Sequence, residues 1–225
     1  MFHRPARHHL RRVRLATHTS YLRWRKGRSD TGRWASMKEL LHGWDERTEI
    51  LATLVRPGES VLEFGAGRKV LRDLLPTGSS YIASDVVDRG PDTFICDLND
   101  RPLPVFPRAD VAVLGGVLEY LADPVAVLRH LADQGFAVVL SYADIGEFPN
   151  VYSRRRQGWI SDLHADALLR GMGEVGLRPT KRSRWRGQEI IRFDPEPAHD
   201  PRLHTTSPLE KPQSEAQDPN RAGPG

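Results

Sequence analysis

The sequence predicts an α/β protein built on a mainly parallel sheet with helices on both faces. Three observations carry that prediction. Short apolar runs alternate with amphipathic stretches from about residue 37 to 193. Phe136-Ala137-Val138-Val139-Leu140 is apolar throughout, as a strand buried on both faces must be. Four successive runs end in acidic or small residues, at Glu63-Phe64-Gly65, Asp85, Asp97-Leu98 and Gly115-Gly116. In parallel sheets ligands sit beyond the carboxyl ends of the strands, so four such ends in order form a constellation.

The elements follow in order. Residues 1 to about 30 carry Arg4, Arg7, Arg11, Arg12, Arg14, Arg23, Arg25, Lys26 and Arg28 with no acid before Asp30. Two readings of this arm stand: a solvated, partly disordered tail, or a surface drawn to nucleic acid or an anionic membrane. A mitochondrial presequence would be Arg-rich and acid-poor in the same way, but serine is sparse here. Tyr21, Trp24 and Trp34 suggest that its second half packs on the body or covers a ligand. Ser36 to Glu39 reads as a capping box, and Met37, Leu40, Leu41, Trp44, Leu51 and Leu54 extend it into a helix of about five turns ended by Pro57-Gly58.

Ser60 to Phe64 is the first strand, followed by a glycine turn and a short helix from Lys69 to Leu75 that Pro76 stops. Tyr81–Ser84, Thr93–Cys96 and Asp110–Leu114 are the next three strands. Asp123-Pro124 caps a helix whose inner face is Val125, Leu128 and Leu131. After the Phe136 strand, residues 144–160 read as an irregular connection holding Arg154, Arg155, Arg156 and Trp159. Ser161 then caps a helix marked by Ala165, Leu168, Leu169 and Met172. Strands near 178–185 and 188–193 form a hairpin at Arg186-Gly187.

The chain therefore divides into a basic, partly disordered arm (1–35), one domain (36–193) and a disordered, proline-rich tail (194–225). Its 225 residues allow one core of ordinary size, and 28% charged residues with no apolar run near the roughly 20 needed for a membrane span point to a soluble protein. Cys96 is the single cysteine, which excludes an internal disulfide and fits a reducing, cytoplasmic setting. No metal is expected.

Gly65 and Gly67 remove side chains where backbone must approach a ligand, and the amides of the following helix lie beyond them. Glu63 favours a cationic or hydroxyl-bearing group over a pyrophosphate by Coulomb sign. Asp85, roughly 20 residues past the glycines, is spaced to accept from a ribose diol. Asp97 offers an acceptor for an exocyclic amine, and Leu98 an N–H for a ring nitrogen. A dinucleotide fingerprint would need a third glycine where Val70 stands.

This pattern resembles the class I methyltransferases that use S-adenosylmethionine, over about residues 37–193. Val61-Leu62-Glu63-Phe64-Gly65-Ala66-Gly67 looks like that family's first motif, Asp85 its ribose-binding acid, Cys96-Asp97-Leu98 its adenine edge, and Val113 to Leu121 its fourth motif. The resemblance implies a Rossmann-like seven-stranded sheet in the order 3-2-1-4-5-7-6 with the last strand antiparallel. It implies S-adenosylmethionine as cofactor, held by Glu63, Gly65, Ala66, Gly67, Asp85, Asp97, Leu98 and Gly115, and methyl transfer to a small molecule, sugar-like or acidic. The acceptor-side candidates are Glu119, Tyr120, Tyr142, Arg154 and Trp159, with His164 beside them and no residue assigned as catalytic base.

Two departures stand out. Lys69 replaces a third glycine and brings a cation near a cationic cofactor, and Glu119-Tyr120 replaces a Glu-His pair. These keep a second reading open: a methyltransferase-like domain without catalysis that binds RNA, an anionic membrane or a protein through its arm.

Overall fold

A computed structural model describes residues 4–25 and 29–196. Seven strands, β1 (Ser60–Phe64), β2 (Ser80–Asp85), β3 (Thr93–Ile95), β4 (Val111–Gly115), β5 (Ala137–Tyr142), β6 (Leu177–Trp185) and β7 (Gln188–Pro195), form one sheet. Their spatial order is 3-2-1-4-5-7-6. The first five run parallel, and β7 is antiparallel to both β5 and β6. The strand order reverses at β1, from which the chain goes outward to β2 and β3 on one side and then back to β4 on the other. This makes the gap between the tips of β1 and β4 the natural crevice.

Period-two alternation explains why both faces are dry. Val61, Val111, Val113 and Val139 turn to one face and meet Leu51 and Leu71 from α3 (Asp45–Ala52) and α4 (Val70–Leu74). Leu62, Ala112, Leu114, Val138 and Leu140 turn to the other and meet Leu128, Leu131 and Met172 from α5 (Pro124–Asp133) and α7 (Ala165–Glu174). Asp123 caps α5 as its sequence requires, its side chain accepting from the Ala126 N–H.

Several segments differ from the expectation. The five-turn helix from Ser36 is instead two 3₁₀ turns, Met37–Glu39 and His42–Trp44, followed by α3, and the Ser36 side chain caps nothing. Leu40 and Leu41 are extended between the turns. That bend lays Leu40 against the glycine turn, where a Cβ on Gly67 would meet its methyl at 3.4 Å. Tertiary contact overrides the local period. The supposedly irregular 144–160 contains α6 (Val151–Gln157), capped by the Asn150 side chain on Ser153 N–H and ended by left-handed Gly158. Ser161 is buried and caps no helix; α7 begins after His164.

The arm, expected as partly disordered, holds a 22-residue helix, α1 (Arg4–Arg25), lying along α6, with α2 (Thr31–Trp34) after it. Its inner stripe is buried Ala16 and Thr19 with half-buried Leu15 and Leu22. Tyr21 and Trp24 do not pack inward but stand in solvent. At the other end β7 takes in Asp194 and Pro195, so the sheet runs past the expected boundary at 193; the rest of the expected tail, from 197, lies outside the described residues. Among the described residues no helix is long and apolar enough to cross a membrane.

Candidate functional site

The glycine turn after β1 is shaped by close approach. Gly65 and Gly67 have φ of +67° and +51°, and a Cβ on Gly65 would lie 2.8 Å from a Val117 methyl. The Ala66 N–H donates to the Ser84 carbonyl at 3.0 Å, tying the turn to β2. Lys69 caps α4 in the left-handed region at φ 58°. Its ammonium lies beside Gly90, and Lys69 does not line the cavity described next.

Above the strand tips opens a cavity of about 400 Å³. Glu63, Gly65, Ala66, Gly67, Asp85, Asp97, Leu98 and Gly115 all line it. Tyr81 donates its hydroxyl to Glu63 Oε2 at 2.5 Å, and burial pushes the Glu63 carboxyl up to about 8. Asp85 accepts the Gly67 N–H at 2.9 Å, the Val87 N–H at 3.0 Å and Arg89 Nε at 3.2 Å. Asp97 accepts from the Ser29 hydroxyl at 2.6 Å and the Asn99 N–H at 2.9 Å, so the segment entering α2 touches the β3 tip.

On the far side Glu119, Tyr120 and Trp159 also line the cavity. Glu119 accepts the Ala143 N–H through Oε1 at 2.8 Å, while buried Oε2 has no partner. Burial raises the Glu119 carboxyl, and it pushes the Tyr120 hydroxyl up to about 12. Trp159 donates its indole N–H to that hydroxyl at 3.2 Å.

Tyr142 and Arg154 do not belong to the site. The Tyr142 ring is fully buried in the core, with its hydroxyl held between the Leu163 carbonyl and N–H at 3.0 and 2.7 Å. Arg154 is 1% exposed and donates to Asp162, Ala143 O and Ser161 O. Arg155 is likewise buried on Asp162. Two of the run's three arginines, Arg154 and Arg155, form an internal strut, because one carboxylate and several carbonyls satisfy them. His164 is largely exposed and pairs with Asp144.

Sequence reasoning missed two arginines, Arg47 and Arg89, and the aromatics Trp44, Phe148 and Trp185. Arg47 of α3 is buried between the rings of Trp44 and Trp185, 5.7 and 5.8 Å from their centroids. It donates to Gly115 O at 3.0 Å, its Nε is unpartnered, and its guanidinium occupies the space a Gly116 side chain would need. Arg89 bridges Asp85 to the Trp34 carbonyl, 2.6 Å from Nη2. Four of the five tryptophans, Trp34, Trp44, Trp159 and Trp185, line this cavity together with Tyr120 and Phe148. Trp34 meets Tyr120 edge-on at 4.8 Å, and Phe148 meets Trp159 at 5.8 Å. The sequence points to Tyr120 and Trp159 on the acceptor side and to Trp34, with Tyr21 and Trp24, as a cover, but gives no sign of Trp44, Trp185 and Phe148. Among the described residues no His, Cys, Asp and Glu cluster could hold a metal ion.

No protein-family model matches the sequence, and no curated protein matches it. Solved structures do. Human N-acetylserotonin methyltransferase in complex with SAM superposes with a TM-score of 0.56 at 16% identity, over 75% of this chain and 57% of its own. An O-methyltransferase from neocarzinostatin biosynthesis, in complex with S-adenosylhomocysteine and 1,4-dihydroxy-2-naphthoic acid, gives 0.54 at 20% identity over 84% of this chain and 70% of its own. The 1,6-didemethyltoxoflavin-N1-methyltransferase of Burkholderia thailandensis, with its substrate and S-adenosylhomocysteine bound, gives 0.51 at 15% identity over 68% and 79%. This chain thus spans little more than half of the human enzyme, and at such identities the likeness establishes the fold.

Proposed function

We propose that this chain, which has the class I methyltransferase fold, transfers a methyl group from S-adenosylmethionine to a small planar acceptor. One observation carries the reading: the tips of β1, β2 and β4 and the segment after β3 bring Glu63, Asp85, Asp97, Leu98 and Gly115 to a single cavity. Lys69, the residue that argued against a cationic ligand, does not line it, and its ammonium lies beside Gly90.

The residues fit the cofactor with one adjustment. A carboxylate has about four lone-pair sites, and the Gly67 and Val87 amides and Arg89 engage three of those on Asp85. A ribose diol donating twice therefore needs one of them to yield. The amides belong to tight turns, so the Arg89 side chain is the one to move. Asp97 and the Leu98 N–H would edge the adenine, and Gly65 and Gly67 would let backbone approach the sulfonium tail. Arg47, buried with an unpartnered Nε beside Gly115 and Gly116, would hold the methionine carboxylate.

A sulfonium methyl is already activated for transfer. The task left to the chain is alignment, which supplies on the order of 7–11 kcal/mol. Trp34, Trp44, Trp159 and Trp185, with Tyr120 and Phe148, wall the remaining space. Flat rings of this kind receive a flat acceptor by stacking or edge contact, and they exclude water. The flat ligands bound in the neocarzinostatin-pathway and toxoflavin methyltransferases agree with that shape.

Calorimetry with S-adenosylmethionine and S-adenosylhomocysteine tests the reading. Binding of both is expected. Absence of heat with either ligand would overturn the enzyme reading and leave a methyltransferase-like binding module. The acceptor would then be sought by labelling a metabolite extract with tritiated methyl donor.

A further inference from the structure

The helix α1 has two unlike stripes. Ala16 and Thr19, with Leu15 and Leu22 beside them, face α6. On the opposite side Leu10, Val13, Thr17, Tyr21 and Trp24 follow one another at spacings of three and four, which places them along a single line of the helix. Leu10, Val13, Tyr21 and Trp24 are 61%, 40%, 51% and 75% exposed. Burying none of these side chains is a standing cost, and their alignment is not the scatter of an ordinary surface. Tyr21 and Trp24 lie against each other, 6.1 Å between ring centroids.

The charges are arranged to match. Arg14 and Arg25 are exposed and border the apolar line, by helical geometry within one step of Tyr21. No acid occurs before Asp30. By contrast Arg11 and Arg23, nearer the inner face, are engaged by Glu39 and Asp162 of the body. The outer face thus keeps the positive charge of Arg14 and Arg25, while Arg11 and Arg23 nearer the body are paired.

We propose that α1 is a docking face for an anionic lipid bilayer, lying in the plane of the headgroups with Leu10, Val13, Tyr21 and Trp24 inserted. Tyr and Trp prefer that depth because each has an apolar body and a polar tip, and bordering arginines reach anionic headgroups. A second copy of the chain fits less well, since a two-fold contact through this stripe would bring the same arginines against each other. RNA would use the arginines and the two rings but leaves Leu10 and Val13 without a role. The proposal does not depend on the catalytic reading.

Co-sedimentation of the full chain with vesicles tests it. Binding is expected to phosphatidylcholine vesicles containing about a third phosphatidylserine and to be at least about tenfold weaker with phosphatidylcholine alone. The variant Leu10→Ser/Tyr21→Ser/Trp24→Ser alters only exposed positions and should melt as the parent does, yet lose about tenfold or more in partitioning. Arg14→Gln/Arg25→Gln should erase the preference for the anionic vesicles. No sedimentation with either vesicle, or sedimentation untouched by the triple variant, would overturn the proposal. Binding to polyuridylate that the triple variant leaves intact, with no vesicle binding, would overturn it in favour of RNA.

Discussion

Asp85 and Arg89 form an ion pair of 3.2 Å at the tip of β2, and the same guanidinium reaches the Trp34 carbonyl at 2.6 Å. The acid spaced to receive a ribose is therefore held, together with the segment that covers the cavity, by one flexible side chain.

Competition for Asp85 gives the first prediction. Arg89→Ala should tighten S-adenosylhomocysteine binding by about threefold to tenfold, since one competing hydrogen bond to a charged group is worth roughly 1.5–3 kcal/mol before the loosened cover is counted. Asp85→Asn should weaken the same binding by about tenfold or more. Isothermal calorimetry reads both, and unchanged affinity in the two variants would remove Asp85 from the site.

Glu63 predicts a pH dependence. Burial holds its carboxyl near 8 without ligand, so at neutral pH it is largely protonated. A cationic ligand favours the ionised form and must release that proton below pH 8. Affinity for S-adenosylmethionine should thus rise with pH up to about 8 and level off above it. The observed heat should vary with buffer ionisation enthalpy at pH 7, and Glu63→Gln should abolish both effects. For the ligand-free protein the sign is opposite. A folded-state value above the ordinary one adds stability below the unfolded value near 4.5 that is lost as pH rises through about 8.

Arg47 separates the two ends of the cofactor. Arg47→Lys keeps a charge but loses the planar fork wedged between Trp44 and Trp185. Affinity for S-adenosylhomocysteine should fall about tenfold or more, whereas 5′-methylthioadenosine, which has no carboxylate, should bind as before. Equal losses for both ligands would mean that Arg47 only supports the wall.

Asp162 links three arginines, Arg23 of α1 and Arg154 and Arg155 of α6. Its burial alone would raise the carboxyl, but Arg155, Arg23 and Arg154 hold it well below the ordinary value. The stability it contributes is present above the unfolded value of about 3.8 and is lost as pH falls through the depressed one. Asp162→Ala leaves Arg154, 1% exposed, without its carboxylate and should cost about 3–5 kcal/mol in urea unfolding at pH 7. A loss below about 1 kcal/mol would mean the carbonyl acceptors alone suffice.

The strand tips were legible because their signal is local: an apolar run, then an acid or glycine. Glu63, Asp85 and Asp97 each sit where their own strand ends, and parallel topology collects them. The aromatic wall was legible only in part: Tyr120 and Trp159 were acceptor-side candidates and Trp34 part of a cover, while Trp44, Phe148 and Trp185 carried no local signal. Trp34, Trp44, Trp159 and Trp185 lie on segments far apart in sequence, and Trp185 reaches Arg47 only through the fold. Arg154 was misread because a run of three arginines says nothing of the Asp162 that buries it. The helix expected from Ser36 failed for the opposite reason: its apolar spacing is real, but Leu40 packs on the glycine turn instead and Leu41 is left half-exposed.

Since Asp162 clasps α1 and α6 alike, the leading helix is wired into the wall that carries Trp159. Removing it by proteolysis or recloning would not be harmless trimming of a tag-like leader. Shortened versions of the chain should be expected to report on a rearranged cavity wall, and ligand-binding comparisons made with them would describe a different pocket.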